Sequence, residues 1–442
     1  MSASNLAPEP KVSRPASLHW PSVLQFVFSL LSVLILWGIA LTLALMVLST
    51  WLSIPNAGLE ADSLPLMLMA AGTGFSGILL LPSAWHAILR ILGRPNPIKF
   101  KLRRPGITIL LLPFVVGLGY LVSQNEVLAW IALPPLHVAA TGISVFWLLH
   151  LGIRGLSTGS AQRTWGIFSG GLVLAPAFSL VIEMVALFTV AVFGIVYLAQ
   201  DPVFADQLIQ LSQQMTLSPD QPPDAILGIL EPYLLQPAVI YVAFAFGAIL
   251  VPLIEELFKP IGVWLLAGRN ATPAQGFAAG LLSGAGYALF ENFALSASAG
   301  EEWSVVIIAR MGTTLVHILT AGLTGWALVL AWREGRYIRL GLTYLTAVAI
   351  HALWNGLVIL SVVPEILPPG TSYPNALLNI GTIAPLGFGL LILGCFVLLL
   401  GANSAMRRAI IPPVKPQPIL TSPDVELSAK PIEEEPPENG NH

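Results

Sequence analysis

PAVIYVAFAFGAILVPLIEELFKPIGVWLLA, residues 237–267, is apolar along its whole length except where Glu255, Glu256 and Lys259 stand together past its middle. A helix needs about 20 apolar residues to cross a hydrocarbon core about 30 Å thick, so the run reads as a membrane span. A charge at mid-membrane costs about 2.5–3.5 kcal/mol even on the lenient insertion scale, which makes an intramembrane ionisable group a functional candidate by default. The same residues therefore point to a fold class and to a site.

Similar apolar runs lie near 22–50, 65–89, 106–123, 131–153, 167–198, 274–298, 304–332, 340–363 and 381–401. Of the 442 residues, 55% are hydrophobic and only 10% charged, with a mean hydropathy of +0.80, whereas soluble domains carry about 25% charged residues. The expectation is an all-α, polytopic transmembrane bundle of about ten spans. The first run is too long for a signal-peptide core and is read as a retained span. No nucleic-acid partner is expected; the bilayer itself is one partner.

Lys and Arg concentrate in cytoplasmic loops, and here they alternate cleanly. The segments after the second, fourth, sixth and eighth spans hold Arg90, Arg94, Lys99, Lys101, Arg103 and Arg104, then Arg154 and Arg163, then Arg269, then Arg333, Arg336 and Arg339. The opposite set holds only acids, among them Glu60, Glu126, Asp201, Glu231, Glu301 and Glu365. Both termini are therefore expected in the cytoplasm, in a multi-pass plasma-membrane protein of prokaryotic type. The organisation expected is a disordered tail over 1–20, a five-span region over 21–200, an extracytoplasmic loop over 201–236, a four-span core over 237–363, a last span within 364–408 and a disordered tail over 409–442. In the long loop, VFADQLIQLSQQM and DAILGILEPYLL have the character of amphipathic surface helices.

The buried polar residues cluster on four successive spans: Glu255, Glu256 and Lys259, then Glu291 and Asn292, then His317, then His351 and Asn355. Lys259 is i+4 from Glu255 and i+3 from Glu256, within reach of either. The two glutamates point about 100° apart, so one can face a cavity while the other pairs with the lysine. His351 and Asn355 share a helix face. Counted back from the cytoplasmic turns, Glu255, Glu291, His317 and His351 lie about 15 to 21 residues deep, or roughly 22 to 32 Å, and are expected to meet in one layer.

Two chemistries suit such a set. One glutamate can act as general base on a water, with a histidine and an amide stabilising the oxyanion of an attacked peptide carbonyl. Alternatively Glu255, Glu291, His317 and His351 can ligate zinc, which lowers the pKa of bound water to about 7. The spacing leaves open whether the cofactor is zinc or none. Buried Glu, His and Lys also form ion relays, so an ion- or proton-coupled transporter is the alternative function.

EELFK at 255–259, GYALFEN at 286–292, His317, and HALWN at 351–355, in this order on four spans, resemble the PrsW family of intramembrane proteases, relatives of the CAAX-processing and bacteriocin-processing endopeptidases. The resemblance covers about 237–363. It implies site-1 type cleavage of a membrane-protein substrate, of which a single-span anti-sigma factor is the known kind. It implies Glu255 as base, Glu256 and Lys259 in support, Glu291 where the CAAX relatives carry a second catalytic histidine, and His351 with Asn355 at the oxyanion. It assigns no role to His317, and Tyr287 is the aromatic that precedes Glu291 in its motif.

The remaining polar residues have simpler readings. Glu183, an isolated acid in the fifth span, is expected to be structural. Arg310 is expected to anchor at the outer interface or to pair with Glu301 or Glu302. His86, His137 and His150 read as interfacial residues, and Cys395, the single cysteine, as packing.

Overall fold

A computed structural model describes residues 19–53, 63–94, 106–217, 236–298, 300–366 and 375–410. Among them the chain is helical, with no β-strand: α1 (Trp20–Ser53), α2 (Ser63–Ile91), α3 (Leu112–Ser123, entered through a 3₁₀ turn, Thr108–Leu111), α4 (Glu126–Ile153), α5 (Ala161–Ser169), α6 (Ala175–Leu198), α7 (Pro202–Leu217), α8 (Pro237–Ala245), α9 (Val251–Phe258), α10 (Pro273–Ala297), α11 (Trp303–Glu334), α12 (Tyr337–Ile366) and α13 (Asn375–Ile410). Each predicted apolar run falls on one of these helices or on a broken pair of them. Among the described residues eight segments are long and apolar enough to cross a membrane, and the protein is a polytopic helical bundle. The first predicted surface helix is present as α7. The second, DAILGILEPYLL, and the two predicted tails, apart from residues at their inner ends, lie outside the described residues.

Two spans are interrupted, and for the same reason. α5 passes into α6 through a π-turn, Gly170–Leu174, and α8 into α9 through another, Phe246–Leu250. Each π-turn ends two residues before a proline, Pro176 or Pro252. Proline has no N–H to give to the carbonyl four residues back and its ring crowds that carbonyl, so the turn widens, a common device near functional sites. Beyond α9 the chain tightens instead into a 3₁₀ turn, Lys259–Leu266, with a kink at Pro260 (φ −81°, ψ 17°).

α10 is the centre of the bundle. It is buried without a break from Gly276 to Leu289, and α2, α4, α5 and α11 all pack on it. This explains why it falls outside the eight strongly apolar spans: it faces protein on every side and needs small residues rather than oily ones. Gly276, Gly280 and Gly284, one turn apart, let α11 approach so closely that a Cβ on Gly280 would overlap the carbonyl of Ala321. On the opposite side Gly171 admits the backbone of Ser283. Thr272 opens α10 with a capping box, accepting from Gln275 N–H at 3.3 Å while the Gln275 side chain accepts from Thr272 N–H at 3.0 Å. Gly335, at φ 68°, closes α11 in the left-handed conformation that glycine tolerates.

The basic loops share one end of the bundle. Arg90, Arg163 and Arg269 line a single cavity, and Arg333 donates to the carbonyl of Ala271 at 3.1 Å. At the other end Trp303 Nε1 meets His137 Nδ1 at 3.1 Å inside the bundle. His137 is fully buried, so it is an internal packing residue and not an interfacial one; a proline-containing helix turned it inward. Overpacking a tight helix crossing costs about 1–3 kcal/mol. Gly280→Val is therefore expected to lower the melting temperature in detergent, whereas Gly389→Ala, which meets nothing within 4 Å, is expected to leave it unchanged; equal melting of the two variants would refute the close α10–α11 crossing.

Candidate active site

The site is built around a break in a helix. Pro260 ends the regular ladder one residue after Lys259, which leaves backbone groups without intrahelical partners inside the bundle. Ser283 on α10 supplies them: its hydroxyl donates to the carbonyl of Lys259 at 2.6 Å and accepts from the N–H of Gly262 at 3.2 Å. Asn355 on α12 holds the preceding π-turn by donating to the carbonyl of Gly247 at 3.1 Å. Tyr344, also on α12, donates to the carbonyl of Leu253 at 2.6 Å. The strip carrying Glu255, Glu256 and Lys259 is thus clamped from two neighbouring helices.

Lys259 is completely buried, and its surroundings are ordered accordingly. Nζ lies 2.7 Å from Glu256 Oε1 and 3.0 Å from Glu255 Oε2, so the lysine joins both glutamates rather than only one as the helix geometry suggested. It also lies 3.1 Å from His351 Nδ1 and 5.0 Å from the centre of the Tyr287 ring. Glu256 Oε1 in turn lies 3.0 Å from His351 Nδ1. Nδ1 donates to Glu256 or accepts from Lys259 according to the tautomer, and His351 Nε2 lies 3.7 Å from Glu255 Oε2.

His317 enters from α11. Its ring stands edge-on to His351 at 5.1 Å and to Tyr287 at 5.4 Å. Its Nε2 lies 2.5 Å from Glu291 Oε2, and Nδ1 has no hydrogen-bond partner. The other oxygen of Glu291 is held by Arg310 Nη2 at 3.1 Å. Arg310 Nε donates to Asn292 Oδ1 at 2.7 Å, and Asn292 Nδ2 donates to Thr314 Oγ1 at 2.7 Å. Arg310 is therefore a partner of Glu291 and Asn292 inside the bundle and not an interface anchor. Lying seven residues before His317 on the same face of α11, it points inward with it.

Glu183 on α6 is not isolated either. It is half-buried, lies within electrostatic reach of Glu255, Glu291 and Lys259, and keeps Oε1 buried without a partner. Sequence spacing could not show this, since α6 belongs to a different part of the chain. The π-turn before Pro176 was the local signal that this helix bends near a site.

The donor set can be tested against a metal. Glu255, His317 and His351 each offer one ligand atom, all within 4.8 Å of one another and all buried. Tetrahedral zinc with N and O ligands at about 2.0–2.1 Å separates them by about 3.3 Å, so a small inward movement of side chains suffices. His317 Nδ1 has no hydrogen-bond partner, as a group awaiting an ion would, while Glu255 Oε2 and His317 Nε2 have only the ion-pair contacts to Lys259 and Glu291. Glu256 behind His351 makes the carboxylate–histidine pair that orients a ligating imidazole. The residues fit the metal. Glu291, the fourth member of the predicted ligand set, stands outside the compact group.

Breaking the clamp is expected to destabilise the site locally. Ser283→Ala strands a buried carbonyl and a buried N–H, a loss of about 1–3 kcal/mol, read as a lower melting temperature in detergent. An unchanged value would mean that the break is not held by Ser283.

Residues 226–378 match the family model described as PrsW family intramembrane metalloprotease. No curated protein and no solved structure matches the chain. The matched segment contains every residue of the Glu255–His317–His351 cluster and the helices that carry them, and the match marks the chain as an intramembrane endopeptidase.

Proposed function

We propose that the chain hydrolyses peptide bonds of membrane-protein substrates at the point where Glu255, His317 and His351 converge, single-span proteins of the anti-sigma-factor kind being the class the family resemblance favours. The observation that carries this reading is the buried convergence of Glu255, His317 and His351, each offering one ligand atom, backed by Glu256 and Lys259. A zinc ion held by Glu255, His317 and His351 would supply a Lewis acid for the peptide carbonyl and the water. The chain's own residues do the rest. Glu256 fixes the tautomer and orientation of His351, and Lys259 balances the charge of Glu255 and Glu256. A carboxylate takes the proton of the attacking water: Glu255 where it is free, and Glu291, positioned by Arg310 beside His317, where Glu255 serves as a ligand. The proton then passes to the leaving amine, as general acid–base catalysis requires.

Glu255→Gln removes the carboxylate from both arrangements while preserving shape. It is expected to lower cleavage of a co-expressed single-span substrate by about 10²–10⁴-fold, with expression and melting temperature unchanged. Undiminished cleavage would sink the assignment. Ion flux in liposomes with no peptide product would support the transporter reading instead.

Metal dependence has its own readout. Purified protein is expected to contain zinc by mass spectrometry of the elements, His317→Ala and His351→Ala to lose it, and Glu256→Ala to bind it about 10–100-fold more weakly. Wild-type protein that is active and metal-free would leave a glutamate alone to activate the water.

A further inference from the structure

Away from the active site, a cavity of about 460 Å³ opens at the end of the bundle that carries the basic loops. Arg90 from the end of α2, Arg163 from the first turn of α5 and Arg269 from the loop before α10 converge on it. No carboxylate lines it, and among the described residues none of the three arginines has an ion-pair partner. Arg163 Nε is buried and unbonded, and Arg269 is close enough for the two charges to repel. Guanidinium groups gathered in a partly buried site without an anion are unfavourable. The first turn of α5 adds the positive end of a helix dipole, since its N-cap Ser160 also lines the cavity.

The remaining walls decide what kind of anion fits. Gln25 and Gln162 bond to each other, Gln162 Nε2 donating to Gln25 Oε1 at 3.1 Å, and close one side with uncharged polar groups. The rest of the lining is apolar, with Leu24 and Phe28 of α1 and Leu265 of the 3₁₀ turn, and Leu24 and Leu265 are exposed on the outside of the bundle. A cationic cavity bordered by exposed apolar side chains, at the end of the spans where the charge bias places the cytoplasmic leaflet, has the chemistry of a phospholipid site. We propose that this cavity binds the phosphate of an anionic phospholipid, with Arg90, Arg163 and Arg269 on the phosphate and Leu24, Phe28 and Leu265 against the start of an acyl chain.

The occupant would rest on the segment that leaves the active site. Ile261, Gly262 and Leu265 belong to the same 3₁₀ turn as Lys259, and Gly262 is the residue whose N–H bonds Ser283. Lipid binding therefore stabilises the fold next to the site, independently of the reaction performed there.

The test uses full-length protein in detergent, titrated with phosphatidylglycerol, phosphatidylcholine or inorganic phosphate, and read by melting temperature and by lipid retained in native mass spectrometry. Phosphatidylglycerol is expected to raise the melting temperature and to be retained, and phosphatidylcholine to do neither. Arg90 and Arg269 are exposed at the rim, so the double variant Arg90→Gln/Arg269→Gln keeps the fold and is expected to bind phosphatidylglycerol about tenfold or more weakly. Arg163→Lys, which keeps the charge, is expected to retain most of the binding. Equal retention by wild type and the double variant overturns the site. A shift produced equally by inorganic phosphate overturns the lipid assignment in favour of a soluble phosphate.

Discussion

A single buried ammonium group organises the active half of the molecule. Lys259 has no access to water, and an unpaired charge in such surroundings costs several kcal/mol. Its partners come from three helices: Glu255 and Glu256 on α9, Tyr287 on α10 and His351 on α12. Satisfying the lysine therefore fixes how those helices cross. It also holds Glu256 against His351 Nδ1, and so turns His351 Nε2 toward Glu255.

The second constraint is the closeness of α10 and α11. Glu291 and His317 can touch only because Gly276, Gly280 and Gly284 remove side chains from the crossing between the helices that bear them. A helix made of small residues cannot face lipid comfortably, so its other sides must be covered. α2, α4 and α5 do that. The N-terminal helices, which the PrsW match does not include, are thus part of the enclosure of the site. Through α6 they also bring Glu183 to its edge.

Much of this was legible in the sequence because it depends on periodicity and on transfer free energy. The runs of apolar residues marked the helices, to within a few residues at most of their ends although α13 (Asn375–Ile410) runs well past the expected 381–401, and ionisable groups inside them marked the site. Counting from the turns brought Glu255, Glu291, His317 and His351 to one depth, and the structure brings them into contact. What escaped was direction around each helix. Arg310 lay at the right height to be an interface anchor, but the rotation of α11 aims it at Glu291 and Asn292. His137 stood among prolines and tryptophans like an interfacial residue, but α4 presents it to Trp303.

The sequence by itself determined the all-helical membrane class, the approximate positions of the helices and the identity of the polar cluster, since each follows from hydropathy or from spacing along one helix. The tertiary structure alone decided which groups share a contact. Lys259 bridging two acids, the compaction of Glu255, His317 and His351 into a metal-sized group, the arrival of Glu183 and the meeting of Arg90, Arg163 and Arg269 all join residues from different helices. Contacts of that kind depend on how helices rotate and cross, and that is set by glycine packing and buried charge acting across the whole bundle.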